Sequence, residues 1–215
     1  MTKGFDFDRE RDIILIEKLQ RGQEKEYIET YLREIGEIIQ QIDRDVIEKM
    51  VNVLKQLREK GGRLFFVGLG GGAANASHAV NDFRKVTGIE AYTPADNVSE
   101  LLAQANDEGW DKIFVNWLKE SKLSADDALF VFSVRGGSIK ENKSVNIIEA
   151  IKYAKEVGAA VIGVVGREDG YTAKEADICL VIPCVNPAYV APYTESLQAV
   201  IWHLLAFHPD FRKER

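Results

Sequence analysis

The first sixty residues repeat apolar side chains at three- and four-residue steps. Ile28, Tyr31, Ile35, Ile38, Ile39, Ile42, Val46, Met50, Val53 and Leu57 recur with charges between them, the spacing of amphipathic helices. Residues 7–60 are therefore predicted helical, with Asp43 or Asp45 capping a new helix and Gly61-Gly62 closing it. From residue 63 the pattern changes. RLFFVG, DALFVFS, AAVIGVVG and DICLVIP are short, β-branched and apolar at successive positions, as strands covered on both faces are. GIEAY, residues 88–92, predicts a further strand, and helical patterns cover 73–86, 97–120 with a break, 144–157 and 189–207. The expected architecture is a three-layer α/β/α sandwich around a five-stranded parallel sheet, preceded by a helical extension. The division falls into an extension over 1–60, suited to oligomerisation, and an α/β domain over 61–215.

Composition narrows the class without naming a function. Hydrophobic residues make up 46% of the chain and charged ones 29%, the balance of a globular protein with ample core. A net charge of −6 gives no basic footprint for nucleic acid. No apolar run is long enough to span a bilayer, and MTKGFDFDRERD lacks a signal-peptide stretch, so a cytoplasmic protein is expected. Cys179 and Cys184 share one strand-like segment without zinc-knuckle spacing and read as buried thiols.

In parallel α/β folds ligands collect at the carboxyl ends of the strands. Those positions here hold GLGGGAAN, TPADN, SVRGGSIKENKS, REDGYT and CVNPAYVAPYTE, and four of the five are rich in Gly, Ser, Asp or Asn. Gly68, Gly70 and Ala73 fit a dinucleotide fingerprint, with Glu90 near the place of a ribose-binding acid. That reading needs the acid at the end of the second strand, and Glu90 falls inside GIEAY, so no nucleotide cofactor is expected. The loop of Ser133, Arg135, Gly136, Gly137, Ser138 and Ser144 opens onto a helix, which suits a phosphate monoester. A glycine turn with serine caps is the plainer reading of the same residues. His78 and Asp82 stand four apart on one helix face, and Glu195 and His203 stand eight apart on the last helix. These four suit acid/base or metal chemistry, although Trp202 and the leucines beside His203 equally suit a core histidine.

The order of GLGGGAANASHAVNDF, TPADN, NDEGWDKIF, SVRGGS…KSVNIIEAIKYAKEVG, REDGYTAKEADICLVIP and TESLQAVIWHLL resembles the sugar isomerase (SIS) domain family, and within it the phosphoheptose isomerases. The N-terminal helices match too. The resemblance implies a flavodoxin-like, nucleotide-binding-type fold that interconverts a ketose and an aldose phosphate through an enediol. It implies Asp82 and His203 as catalytic groups. Gly70, Gly71, Gly72, Asp96, Ser133, Arg135, Gly136, Gly137, Ser138, Ser144 and Glu195 are the implied substrate-binding set. Some members hold zinc, which carries over to His78, Asp82, Glu195 and His203. A homotetramer with shared sites is also implied. The chain departs from the family pattern at Leu69, Gly72 and Val134, in the shortened acid Asp82, in the acid Glu195 and in the inserted KENK. A sugar-phosphate sensor or protein-binding adaptor of the same family is the alternative to an enzyme.

Overall fold

The computed structural model describes the backbone of residues 9–211 and the side chains from residue 24 onward. Residues 7 and 8 of the predicted helical stretch lie outside the described residues. Packing divides the chain between Gln41 and Ile42, so the second helix belongs to the sheet-bearing body and not to the extension drawn over 1–60.

The N-terminal unit is one helix, α1 (Arg9–Gln41). Arg33 and Glu37 pair along its surface at 2.7 Å, and Tyr27 and Tyr31 stack one turn apart with ring centroids 5.8 Å apart. Tyr27, Ile28, Leu32 and Ile39 are exposed on it.

The second unit begins with α2 (Arg44–Lys60). Asp43 caps it, its carboxylate accepting from the amides of Asp45 and Val46, and Gly61 ends it at φ 69°. Strands β1 (Leu64–Gly68), β2 (Ala91–Tyr92), β3 (Ala128–Ser133), β4 (Ala160–Val165) and β5 (Ile178–Val181) form one parallel sheet in the order β2-β1-β3-β4-β5. Between them lie α3 (Gly71–Asp82), α4 (Val98–Asp107), α5 (Ile113–Glu120), α6 (Val145–Glu156) and the short α7 (Tyr171–Glu175); α8 (Val190–Ala206) follows β5. Alternation along the strands sends side chains to both faces. Phe65, Val67, Leu129, Val131 and Val161 pack with Ile113, Trp117 and Leu118 of α5 and Ile147 and Ile151 of α6. On the other face Phe66 stacks on Phe130 at 5.2 Å and meets Phe83, beyond α3, at 5.4 Å. The expected sandwich and five parallel strands are therefore present.

The local differences have physical causes. The helix predicted over 73–86 leaves α geometry after Asp82, and residues Phe83–Thr87 form a π-turn closed by Gly88 at φ 75°. Thr87 donates its hydroxyl to the Phe83 carbonyl there, a side-chain bond that periodicity does not encode. GIEAY yields only the two paired residues of β2, with Glu90 bonded to the Tyr92 hydroxyl at 2.7 Å. At the amino ends of β1 and β3, Arg63 and the buried Asp127 form a bidentate pair. Cys179 sits in β5, whereas Cys184 lies beyond it and is exposed, contrary to the buried pair expected.

Candidate active site

The chain runs from β1 outward to β2 and then returns to place β3 on the other side of β1. Loops after β1 and β3 therefore diverge, leaving a crevice at their carboxyl ends. The first loop enters α3 through Gly70, whose φ of 56° and ψ of −123° suit a residue without a side chain. At Gly71 a Cβ would come within 2.5 Å of the Glu195 carboxylate. Glycine there admits an acid to the start of α3, where the helix dipole favours negative charge. Gly72 lies against the Phe132 carbonyl of β3.

One turn and more along α3, His78 and Asp82 meet His203 of α8, each offering a ligand atom within 4.8 Å of the others. His203 Nε2 lies 3.8 Å from Asp82 Oδ2, beyond hydrogen-bond length. Its Nδ1 lies 2.7 Å from the Ala199 carbonyl. A carbonyl only accepts, so Nδ1 carries a proton, and Nε2 is the ring nitrogen that faces Asp82. His203 is exposed and Asp82 half-buried, so the last-helix histidine is not a core residue. Trp202, next to it, is the buried one.

Glu195 is not part of this cluster among the described residues; its carboxylate stands against Gly71 instead. Its backbone carbonyl accepts from Asn75 Nδ2 at 2.9 Å, and the same amide reaches Gln198 Oε1 at 3.2 Å. Buried Gln198 donates onward to the Val164 carbonyl of β4 at 3.0 Å. This relay ties α3 to α8 and sets the distance between their histidines. No local pattern marks it, because Asn75 and its α8 partners are more than a hundred residues apart in the chain.

Asp96, in the turn after β2, accepts a hydrogen bond from the Ser77 hydroxyl of α3. Ser77, Asp96, Arg84 and Lys85 line a cleft of about 650 Å³. The loop after β3 is tightly self-bonded. Ser133 Oγ accepts from the Gly136 amide at 3.0 Å, and Ser138 Oγ accepts from the Glu141 amide at 3.2 Å. The inserted residues form a small hairpin between Ser138 and Lys143, after which Ser144, at φ 50°, starts α6. Gly136 and Gly137 are held to the start of α7, their carbonyls accepting from the amides of Thr172 and Tyr171 at 2.8 Å. Arg135 is exposed and paired with Glu141 at 3.1 Å. It lines a different cleft, of about 810 Å³, with Arg167, Asp169, Cys184 and Pro187, among which none of His78, Asp82 or His203 stands.

The arrangement offers a carboxylate and two imidazoles between α3 and α8, and a further acid, Glu195, at the glycine loop. Comparison with known proteins bears on this geometry. The chain is 30% identical over 184 residues to the lincomycin biosynthesis protein LmbN of Streptomyces lincolnensis, an alignment covering 83% of this chain and 66% of that protein. It is 29% identical to the phosphoheptose isomerase of Syntrophotalea carbinolica, over 82% of this chain and 89% of that one. The solved phosphoheptose isomerase GmhA of Neisseria gonorrhoeae superposes with a TM-score of 0.73 at 25% identity, covering 85% of this chain and 96% of that one. Residues 27–166 match the SIS domain, so the chain belongs to the SIS-domain family.

Proposed function

We propose that the protein is a phosphosugar isomerase that interconverts a ketose phosphate and an aldose phosphate, with sedoheptulose 7-phosphate and D-glycero-D-manno-heptose 7-phosphate as the pair. The observation that carries this reading is the convergence of His78 and Asp82, on the helix that follows the glycine loop, with His203 of α8. The likeness to phosphoheptose isomerases supports it.

Aldose–ketose exchange moves one proton between adjacent carbons and others between their oxygens. Asp82 suits the first task, because its carboxylate faces the cluster and no cation is hydrogen-bonded to it among the described residues. His203 suits the second, since Nδ1 is committed to Ala199 and Nε2 is free to accept and return a hydroxyl proton. Glu195, against Gly71, accepts from sugar hydroxyls, and the Ser77–Asp96 pair extends that polar wall. The loop of Ser133, Gly136, Gly137, Ser138 and Ser144 holds the phosphate, so that binding energy remote from the reacting carbons fixes their position. Arg135 serves that loop only on leaving Glu141.

Two imidazoles and a carboxylate within 4.8 Å are also the donor set of a three-ligand zinc site with an open position. His203 has the carbonyl partner that ligating histidines have on their other nitrogen. His78, Asp82 and His203 would hold zinc, which would polarise a carbonyl; Glu195 stands apart from that set.

Among the described residues no helix is long and apolar enough to cross a membrane, and the proposed setting is the cytoplasm. A homo-oligomer, with a tetramer as its expected size, follows from the exposed Val200, Leu204 and Phe207 beside His203 on α8. Incubation with sedoheptulose 7-phosphate, with the aldose product followed by chromatography, tests the function. Product formed in proportion to protein supports it. Binding without conversion points to a sensor and overturns it.

A further inference from the structure

No hydrogen bond holds the His78 ring among the described residues, yet that ring must keep one face toward Asp82 for the cluster to act as a unit. Its contacts are aromatic. The Trp202 indole meets His78 at a centroid distance of 4.6 Å with an interplanar angle of 60°. The same indole lies 3.5 Å from the His203 ring, nearly parallel at 27°. The two imidazoles themselves stand 5.4 Å apart at 87°. Trp202 is 1% exposed, whereas both imidazoles are exposed, so a fixed plane lies beneath two side chains that solvent would otherwise leave free to rotate. The indole nitrogen finds no hydrogen-bond partner, so the ring sits there for its faces and edges and not for its N–H.

We propose that Trp202 is the positioning residue of this site: its ring fixes the orientation of both His78 and His203. The proposal rests on reading the cluster as the reacting centre. Because His203 is also tied through Nδ1 to Ala199, loss of the indole releases His78 further than His203. A local packing role would leave the histidines as they are; a positioning role does not.

The chain has three histidines, which makes the test direct. His208 lies away from any tryptophan, with Phe211 as its ring neighbour at 6.3 Å, and serves as an internal control. Histidine-labelled full-length protein is examined by NMR as wild type, Trp202→Phe and Trp202→Leu, and each is assayed for isomerisation of sedoheptulose 7-phosphate. In the wild type, ring currents displace the signals of His78 and His203 from that of His208. Trp202→Leu collapses the displacement, most for His78, and lowers kcat about 100-fold with KM little changed, as a misplacement of about 1 Å does. Trp202→Phe keeps an aromatic plane, so it retains a reduced displacement and most of kcat. Undisplaced histidine signals in the wild type, or wild-type kcat in Trp202→Leu, overturn the proposal. If the leucine variant does not fold, histidine signals left unchanged by Trp202→Phe overturn it. Displaced signals that collapse in Trp202→Leu, in a wild type that converts no sugar phosphate, uphold the positioning and remove the isomerase reading.

Discussion

The amino end of the parallel sheet and the α3–α8 helix pair hold acidic and basic groups in opposite ways. At the amino end, Asp127 is 3% exposed and every interaction open to it is used. It accepts from the Arg63 amide, Nε and Nη2, and from the amide and hydroxyl of Ser124. Arg63 in turn reaches the Ser121 and Lys122 carbonyls and lies over the Phe65 ring at 5.0 Å. Between α3 and α8, Asp82 and His203 face each other at 3.8 Å, too far to bond, with His78 beside them and solvent above. A saturated pair stabilises the fold and has nothing left to offer a substrate. An unsaturated cluster contributes little to the fold and keeps its lone pairs for chemistry.

Substitution separates the two sites most sharply. Asp82→Asn removes the basic carboxylate while keeping its shape, and turnover of the sugar phosphate is expected to fall by about 10²–10⁴-fold, the usual worth of a general base. Thermal unfolding is expected to be unchanged. Near-normal turnover would remove Asp82 from the reaction, and an equal loss on His203→Asn would confirm that the two act together.

At the Arg63–Asp127 pair the same chemical change has the opposite signature. Asp127→Asn leaves Arg63 without its partner charge, and the cost expected for breaking a largely buried pair is about 3–5 kcal/mol of stability, measured by urea unfolding. Activity per folded molecule stays at the wild-type level. Burial by itself pushes the Asp127 carboxyl up, but the bonds from Arg63 and Ser124 outweigh it and hold the group below its ordinary value. A carboxyl depressed in the folded state stabilises above its unfolded pKa, about 3.9, and loses that contribution as pH falls through the lower folded value. The wild-type advantage over Asp127→Asn is therefore full at neutral pH and shrinks below about pH 4. An advantage that grows on acidification would contradict the pairing.

A smaller effect tests the glycine loop, which serves packing and site at once. Gly71→Ala places a methyl group against the Glu195 carboxylate, the far end of a flexible side chain that can swing away. Stability is therefore expected to change little, while kcat/KM falls about tenfold through loss of a charged hydrogen bond to the sugar. A crystal structure of the variant would show Glu195 moved. An unmoved Glu195 with full activity would take it out of the site.

These contrasts also show what the sequence carries. Strand positions were legible because Phe65, Val67, Leu129 and Val131 lie in apolar runs that a sheet covered on both faces can bury. His78, Asp82 and His203 were legible as pairs on helices, since α-helical spacing places them on shared faces. What brings the pairs together was not. The Asn75–Gln198–Val164 relay joins residues distant in sequence, and neither Asn nor Gln follows a period there. Arg135 was legible as a cation beside a phosphate loop, but its pairing with Glu141 depends on how the inserted hairpin folds back. Likewise Trp202 reads as one more apolar residue on an apolar helix, and its role under two imidazoles exists only once α3 and α8 are packed.

The two cysteines extend the comparison within a single segment, and they give the smallest functional effect. Cys179 lies in β5 with its sulfur beside Gly163, where burial pushes the thiol up to about 12. Because the thiolate is the nucleophile, such a thiol is inert at neutral pH. Cys184 lies five residues on, past the carboxyl end of β5, and is exposed. An aromatic disulfide reagent at pH 8 is expected to modify one thiol per folded chain promptly, identified by mass as Cys184, and the second only on unfolding. Since Cys184 lines the cleft of Arg167 and Pro187 and not the histidine cluster, the modified protein should keep its isomerase activity. Loss of activity on labelling would mean that the cleft over β4 and β5 takes part in binding, and that the open end of the sheet holds one continuous site. Retained activity confines the chemistry to the cluster between α3 and α8.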